Sequence, residues 1–121
     1  MIPKDARTRK TIPIYSGCVA YFPDVMGAVA QLSFIANEQH SPGTTMHWAK
    51  EKSTDELDAF MRHMVDDANP DTLNRDAEGV LHATKMVWRA MANLQRLADS
   101  GVDIYAMLTE EQLCRLKPEL S

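Results

Sequence analysis

The segment from Asn37 to His63, NEQHSPGTTMHWAKEKSTDELDAFMRH, gathers three histidines, a tryptophan, lysines, an arginine and several carboxylates around a Pro42-Gly43 loop. Core-building segments are apolar and periodic, whereas this one carries side chains suited to anions, cations and aromatic rings. Asp55 and Asp58 stand one helical turn apart, with Arg62 on the same stripe and His63 at its edge. Two carboxylates so spaced can hold a hard divalent cation such as Mg2+, which takes oxygen ligands and keeps several waters. The same aspartates also complement the dipole at a helix start, with Asp58–Arg62 as an ordinary surface pair. Farther along, His82, Lys85, Arg89, Asn93 and Arg96 recur at helical spacing. Such a row can grip phosphates, Arg as a bidentate donor and Lys as a point charge, or it can be the solvent-facing edge of an amphipathic helix.

The remaining candidates surround the loop. Asn37 can donate and accept, so it can read a base, hold a water or cap its own helix. Glu38 is the one carboxylate on that helix past its start. His40 and His47 bracket the Pro-Gly turn and Trp48 follows, placed either to stack on a purine or to anchor the loop by packing. The four histidines lack a paired i, i+4 spacing, which argues against zinc. No phosphate-binding glycine loop, nucleophile elbow or Cys–His pair is present. Cys18 and Cys114 fit no disulfide or metal spacing and read as free thiols.

These side chains need elements to position them, and at 121 residues the length prior gives one domain. A composition 45% hydrophobic and 25% charged can bury a modest core that is completed by self-association. The net charge of −4 speaks against a general nucleic-acid or membrane-surface binder, and the basic start (Lys4, Arg7, Arg9, Lys10) reads as a solvated terminus. With neither a secretory leader nor an apolar run of membrane-spanning length, the expectation is a cytoplasmic protein.

Residues 1–22 read as an extended arm, and 23–121 as the domain. Pro23 opens a helix over 23–39, with Val25, Ala28, Val29, Leu32, Ile35 and Ala36 as its apolar face. Ser53 and Glu56 form a capping-box pattern at the start of the next, whose face is Leu57, Phe60, Met61, Met64 and Val65, stopped at Asn69-Pro70. A third helix spans about 77–100, with Ala83, Val87, Ala90, Met91, Leu94 and Leu97 facing the core, Trp88 beside them and Gly101 closing it. Thr109 and Gln112 repeat the cap pattern ahead of a short fourth helix, with Leu113 and Leu116 facing inward. No segment alternates with a strand period, so the expected fold is all-α: three main helices and a short C-terminal one, in an oligomeric bundle.

The segments YSGCVAYFPDVMGAVAQLS, the 37–63 stretch above and DAEGVLHATKMVWRAMANLQ together resemble the phage- and prophage-encoded dATP/dGTP diphosphohydrolase domain, over roughly residues 8–95. That family is similar in character to the all-α MazG-type nucleotide pyrophosphohydrolases. The resemblance implies hydrolysis of a purine deoxynucleoside triphosphate to monophosphate and pyrophosphate with Mg2+ or Mn2+. The pattern falls on Asn37, His40, His47, Trp48, Lys52, Ser53, Asp55, Asp58, Arg62, His63, Asp76, Gly79, His82, Trp88 and Arg89, with Ser41 standing where it has an asparagine. Of the paired acids of the MazG-type metal signature, Asp55-x-x-Asp58 is present.

On that resemblance Asp55 and Asp58, with Glu38, would hold the metal. Lys52, Arg62, His82 and Arg89 would neutralise phosphate oxygens, and His63 or Asp58 would take the proton of the attacking water. Asn37 and Trp48, with His40 and His47 beside the loop, would contact the purine, and a homodimer or homotetramer would complete the pocket. The alternative is a non-catalytic helical protein in which Arg62, His63, Asp76 and His82 form a buried polar cluster joining two helices.

Overall fold

The computed structural model describes residues 1–52, 54–105 and 109–116, with the backbone alone for Thr72 and Leu113. Five α-helices follow in order: α1 (Ala6–Arg9), α2 (Pro23–His40), α3 (Glu56–Asp67), α4 (His82–Asp99) and α5 (Glu110–Leu116). Short turns of other helix types occupy Tyr15–Val19, Lys50–Lys52 and Pro70–Thr72. Among the described residues no strand forms, and the single isolated bridge joins Arg75 to Leu81. The all-α expectation holds. The chain divides into two compact units, Phe22–Asn93 on the one hand and Met1–Tyr21 with Leu94–Ser121 on the other.

In the unit Phe22–Asn93, Pro23 opens α2 as its spacing predicts, because its missing N–H costs nothing in a first turn. Ser41 caps the far end by donating to the Asn37 carbonyl, and Gly43 turns the chain at φ 74°, where a Cβ would be strained. Helix α3 starts at Glu56; Ser53, the other half of the predicted capping box, lies outside the described residues. Helix α4 begins at His82 rather than near Ala77. The Asp76 carboxylate accepts N–H bonds from Glu78 (2.9 Å) and Val80 (3.0 Å), and Gly79 sits at φ 81°, so 76–80 form a local turn that competes with helix.

In the other unit the arm is not extended. Asp5 caps α1 by accepting the Thr8 N–H at 2.8 Å, and Arg7 donates to Glu110 at 3.0 Å. A side chain that closes its own first turn and one that pairs with α5 replace the solvation assumed for a frayed terminus. The Thr109–Gln112 cap forms as expected, Gln112 N–H donating to Thr109 Oγ1 at 3.2 Å and Thr109 N–H to Gln112 Oε1 at 2.9 Å. The Leu113 side chain lies outside the described residues.

The packing of α3 and α4 departs from the expected faces. On α3, Glu56, Ala59 and His63 turn inward with the expected Phe60, while Leu57, Met61, Met64 and Val65 are exposed. On α4, His82, Lys85, Arg89 and Ala92 turn inward and the expected Val87 is half-buried, while Ala83, Ala90, Met91, Leu94 and Leu97 are exposed. Ala59 and Ala92 are the two apolar residues more than nine-tenths buried among those described. The reason is chemical: the polar stripes of the two helices find each other, and a period of 3.6 then turns the apolar stripes away.

Candidate functional site

The two inward stripes meet in a polar seam. Arg89 donates from Nη1 to the Glu56 carboxylate at 2.9 Å, and that carboxylate is only 3% exposed. His63 and His82 bring their Nδ1 atoms to 2.9 Å with the rings tilted by 40°. Lys85 pairs with Asp76 and stands 3.9 Å from Glu78. Residues 82, 85 and 89 are successive turns of α4 and residues 56 and 63 are two turns apart on α3, so helix period alone lines them up.

A neutral imidazole carries one N–H, so two Nδ1 atoms at 2.9 Å require that one donate and the other accept. Burial pushes the His63 pKa below its ordinary value, and its neighbours Lys85, His82 and Arg89 push the same way against Asp76. His63 is therefore held neutral, the form in which a ring nitrogen can accept a proton. Burial alone would raise the Asp76 pKa, but the Lys85 ion pair and the N–H groups of Val80 and Glu78 outweigh it and hold the carboxyl below its usual range.

One end of the seam carries the aromatic pair. Trp48 and Trp88 meet edge to face with centroids 5.4 Å apart; Trp88 Nε1 donates to Ser33 Oγ at 3.1 Å, and the Arg89 guanidinium lies 5.5 Å from the Trp88 ring. Trp88 is half-buried rather than a core residue. The Lys50 ammonium sits 5.1 Å over Trp48. Asn37 is buried, donating to the Thr44 carbonyl at 3.2 Å and accepting the His47 N–H at 3.3 Å. It holds the loop that delivers Trp48, instead of presenting its amide to a base or capping its own helix.

The structure thus brings together His63, His82 and Arg89 of the predicted site, Lys85 of the cation row and Asp76 of the alternative polar cluster, and adds Glu56. It does not bring the aspartates. Asp55 precedes α3 and pairs in the open with Arg62 at 3.0 Å, a bond that lowers its pKa. Asp58 faces outward, lining a shallow depression of about 470 Å3 with Met61, Arg62, Val65 and Asp66. Glu38 accepts the Gly43 N–H at 3.4 Å, and His40, His47 and Lys52 are exposed. Glu38, Asp55 and Asp58 do not converge, and among the described residues no three His, Cys, Asp or Glu side chains could hold a metal ion together. Nor, among the described residues, is any helix long and apolar enough to cross a membrane. Glu56 was hidden in the sequence by its place in a cap pattern, although its spacing to Ala59 and His63 marks one face.

Searches against protein-family models, curated proteins and solved structures found no match to this chain.

Proposed function

We propose that the chain is a subunit of a homodimeric or homotetrameric hydrolase that cleaves purine deoxynucleoside triphosphates, dATP or dGTP, to the monophosphate and pyrophosphate in the α3–α4 seam. The observation that carries this reading is the neutral His63 imidazole bonded at 2.9 Å to His82 and flanked by the cations Lys85 and Arg89. Phosphoryl chemistry asks a protein chiefly for positioning and charge stabilisation, which is what such a row supplies. When His63 donates its Nδ1 hydrogen to His82, its Nε2 lone pair becomes the base that takes a proton from the attacking water. The Arg89 guanidinium, on a side chain 30% exposed, reaches solvent at the edge of the seam, where a phosphate can join Glu56 on it. Trp48 and Trp88 offer aromatic surface to the purine. Because Glu38, Asp55 and Asp58 do not fit a shared metal within the subunit, Mg2+ or Mn2+ enters this proposal as the counter-ion of the nucleotide.

The test is pyrophosphate release from dATP and dGTP with Mg2+ or Mn2+. Turnover that falls by about 100-fold or more in His63→Gln supports the proposal, as loss of a general base does. No pyrophosphate from any deoxynucleotide overturns it. A second reading, a non-catalytic helical protein whose seam is purely structural, is favoured by one observation: Lys85 and Arg89 each have a carboxylate partner. Thermal melting with nucleotide separates the two. A ligand present at 100 times its Kd adds about 2.7 kcal/mol, and a structural seam leaves the midpoint unmoved.

A further inference from the structure

We infer that the outward face of α3 is the contact between two copies of this chain, packed antiparallel about a two-fold axis near Met61. This assigns a surface and a partner to the assembly in the proposal above, and it is independent of the chemistry proposed there. The face is apolar at helical spacing: Leu57 is 62% exposed, Met61 50% and Val65 64%, with Met64 beside them. Three turns of one amphipathic helix cannot keep that stripe in water without cost, since its other face is given to the polar seam.

The burial within α3 and α4 points to a partner that is always available. Ala59 and Ala92 are the two deeply buried apolar side chains among those described, while Leu57, Met61, Met64 and Val65 stay exposed on one face. A second copy is the occupant that covers this stripe with an identical stripe of its own.

The charges beside the stripe complement themselves. Asp58 and Arg62 flank Met61 on the rim of the shallow depression. In an antiparallel pair centred on Met61, Leu57 meets the partner's Val65. Asp58 then lies about 3 Å along the axis from the partner's Arg62, at 1.5 Å of rise per residue. Each acid thus reaches a cation, twice over. A membrane surface is the poorer occupant, because Asp58 and Asp66 at the rim repel anionic headgroups.

Sedimentation of the full chain at 1–100 µM tests this, with a Met61→Cys variant in a Cys18→Ser/Cys114→Ser background as its second arm. Expected are a mass that is an even multiple of 13.6 kDa, rapid disulfide capture of M61C dimers under mild oxidation, and none in a Gln31→Cys control. Met61→Glu raises the dimer Kd by about 30-fold or more, as a central interface residue does. Should M61E fail to fold, the M61C capture decides. A chain that stays monomeric at 100 µM, or an assembly in which M61C links no faster than Q31C, overturns the inference. Pyrophosphate release is scored separately, so a wrong interface and a wrong chemistry are told apart.

Discussion

Replacing Arg89 by methionine keeps an unbranched side chain and removes the guanidinium that donates to Glu56 at 2.9 Å and lies 5.5 Å from the Trp88 ring. The Glu56 carboxylate is only 3% exposed, so the variant removes a cation from a buried charge. Breaking such a pair costs about 3–5 kcal/mol; because the Arg89 end is 30% exposed and water can enter there, the lower end applies, about 3 kcal/mol. For a chain of this length that is a fall in Tm of roughly 10–15 °C. The loss has a signature that simple damage lacks. A buried carboxylate that loses a neighbouring cation favours its protonated form more than before. The stability deficit relative to the parent is then small near pH 5 and grows as the pH rises to 8. The assay is urea unfolding of parent and R89M at both pH values, with Glu56→Gln/Arg89→Met as a third chain that recovers part of the loss. A deficit equal at pH 5 and pH 8, or a Tm within about 2 °C of the parent, refutes the buried pair as the element that locks α3 to α4.

Other outcomes follow from the same geometry. The His63 pKa is held below 6.5, so the unfolded chain takes up this proton more readily and stability falls as pH drops through 6.5 towards the lower folded value; urea midpoints at pH 5 and 7.5 show the slope, and His63→Gln flattens it. Asn37→Ala leaves the Thr44 carbonyl and the His47 N–H without their shared partner and costs about 1–3 kcal/mol, with faster hydrogen exchange confined to 41–48. Asp58→Asn, on the outer face of α3 away from the seam, removes no more than a rim ion pair, changes stability by at most about 0.5 kcal/mol and leaves any pyrophosphate release intact. A hundredfold loss of turnover in D58N would place the chemistry on the outer face instead.

Much of the helix layout is written in local chemistry. Pro23, the Thr109–Gln112 cap and Gly101 act within a turn or two, so they bound α2, α5 and the end of α4 without reference to the rest of the chain. The start of α4 was less legible because Asp76 offers its carboxylate to two N–H groups and wins the contest with helix over a span that periodicity alone would include. The orientation of the faces was legible only in part: Phe60 and Val87 are half-buried as expected, whereas Leu57, Met61, Met91 and Leu94 are exposed. Periodicity shows that α3 and α4 each carry an apolar and a polar stripe, but it carries no sign, and assigning the apolar stripe to the interior assumes that the chain buries its core alone. Here Glu56 with Arg89 and His63 with His82 take the interior. The His82–Lys85–Arg89 row was legible because it lies along one helix, whereas Asp55 lies just before α3 and Asp58 projects to its far side.

Histidine-selective 15N spectra test the seam most directly, because they report which ring nitrogens carry hydrogen. At pH 7.5 one Nδ1 of the His63–His82 pair is expected to be protonated and the other bare, and adding dATP or dGTP with Mg2+ shifts both rings. Two bare Nδ1 atoms, or rings that nucleotide at millimolar concentration leaves unmoved, would contradict a proton-sharing nucleotide site between α3 and α4.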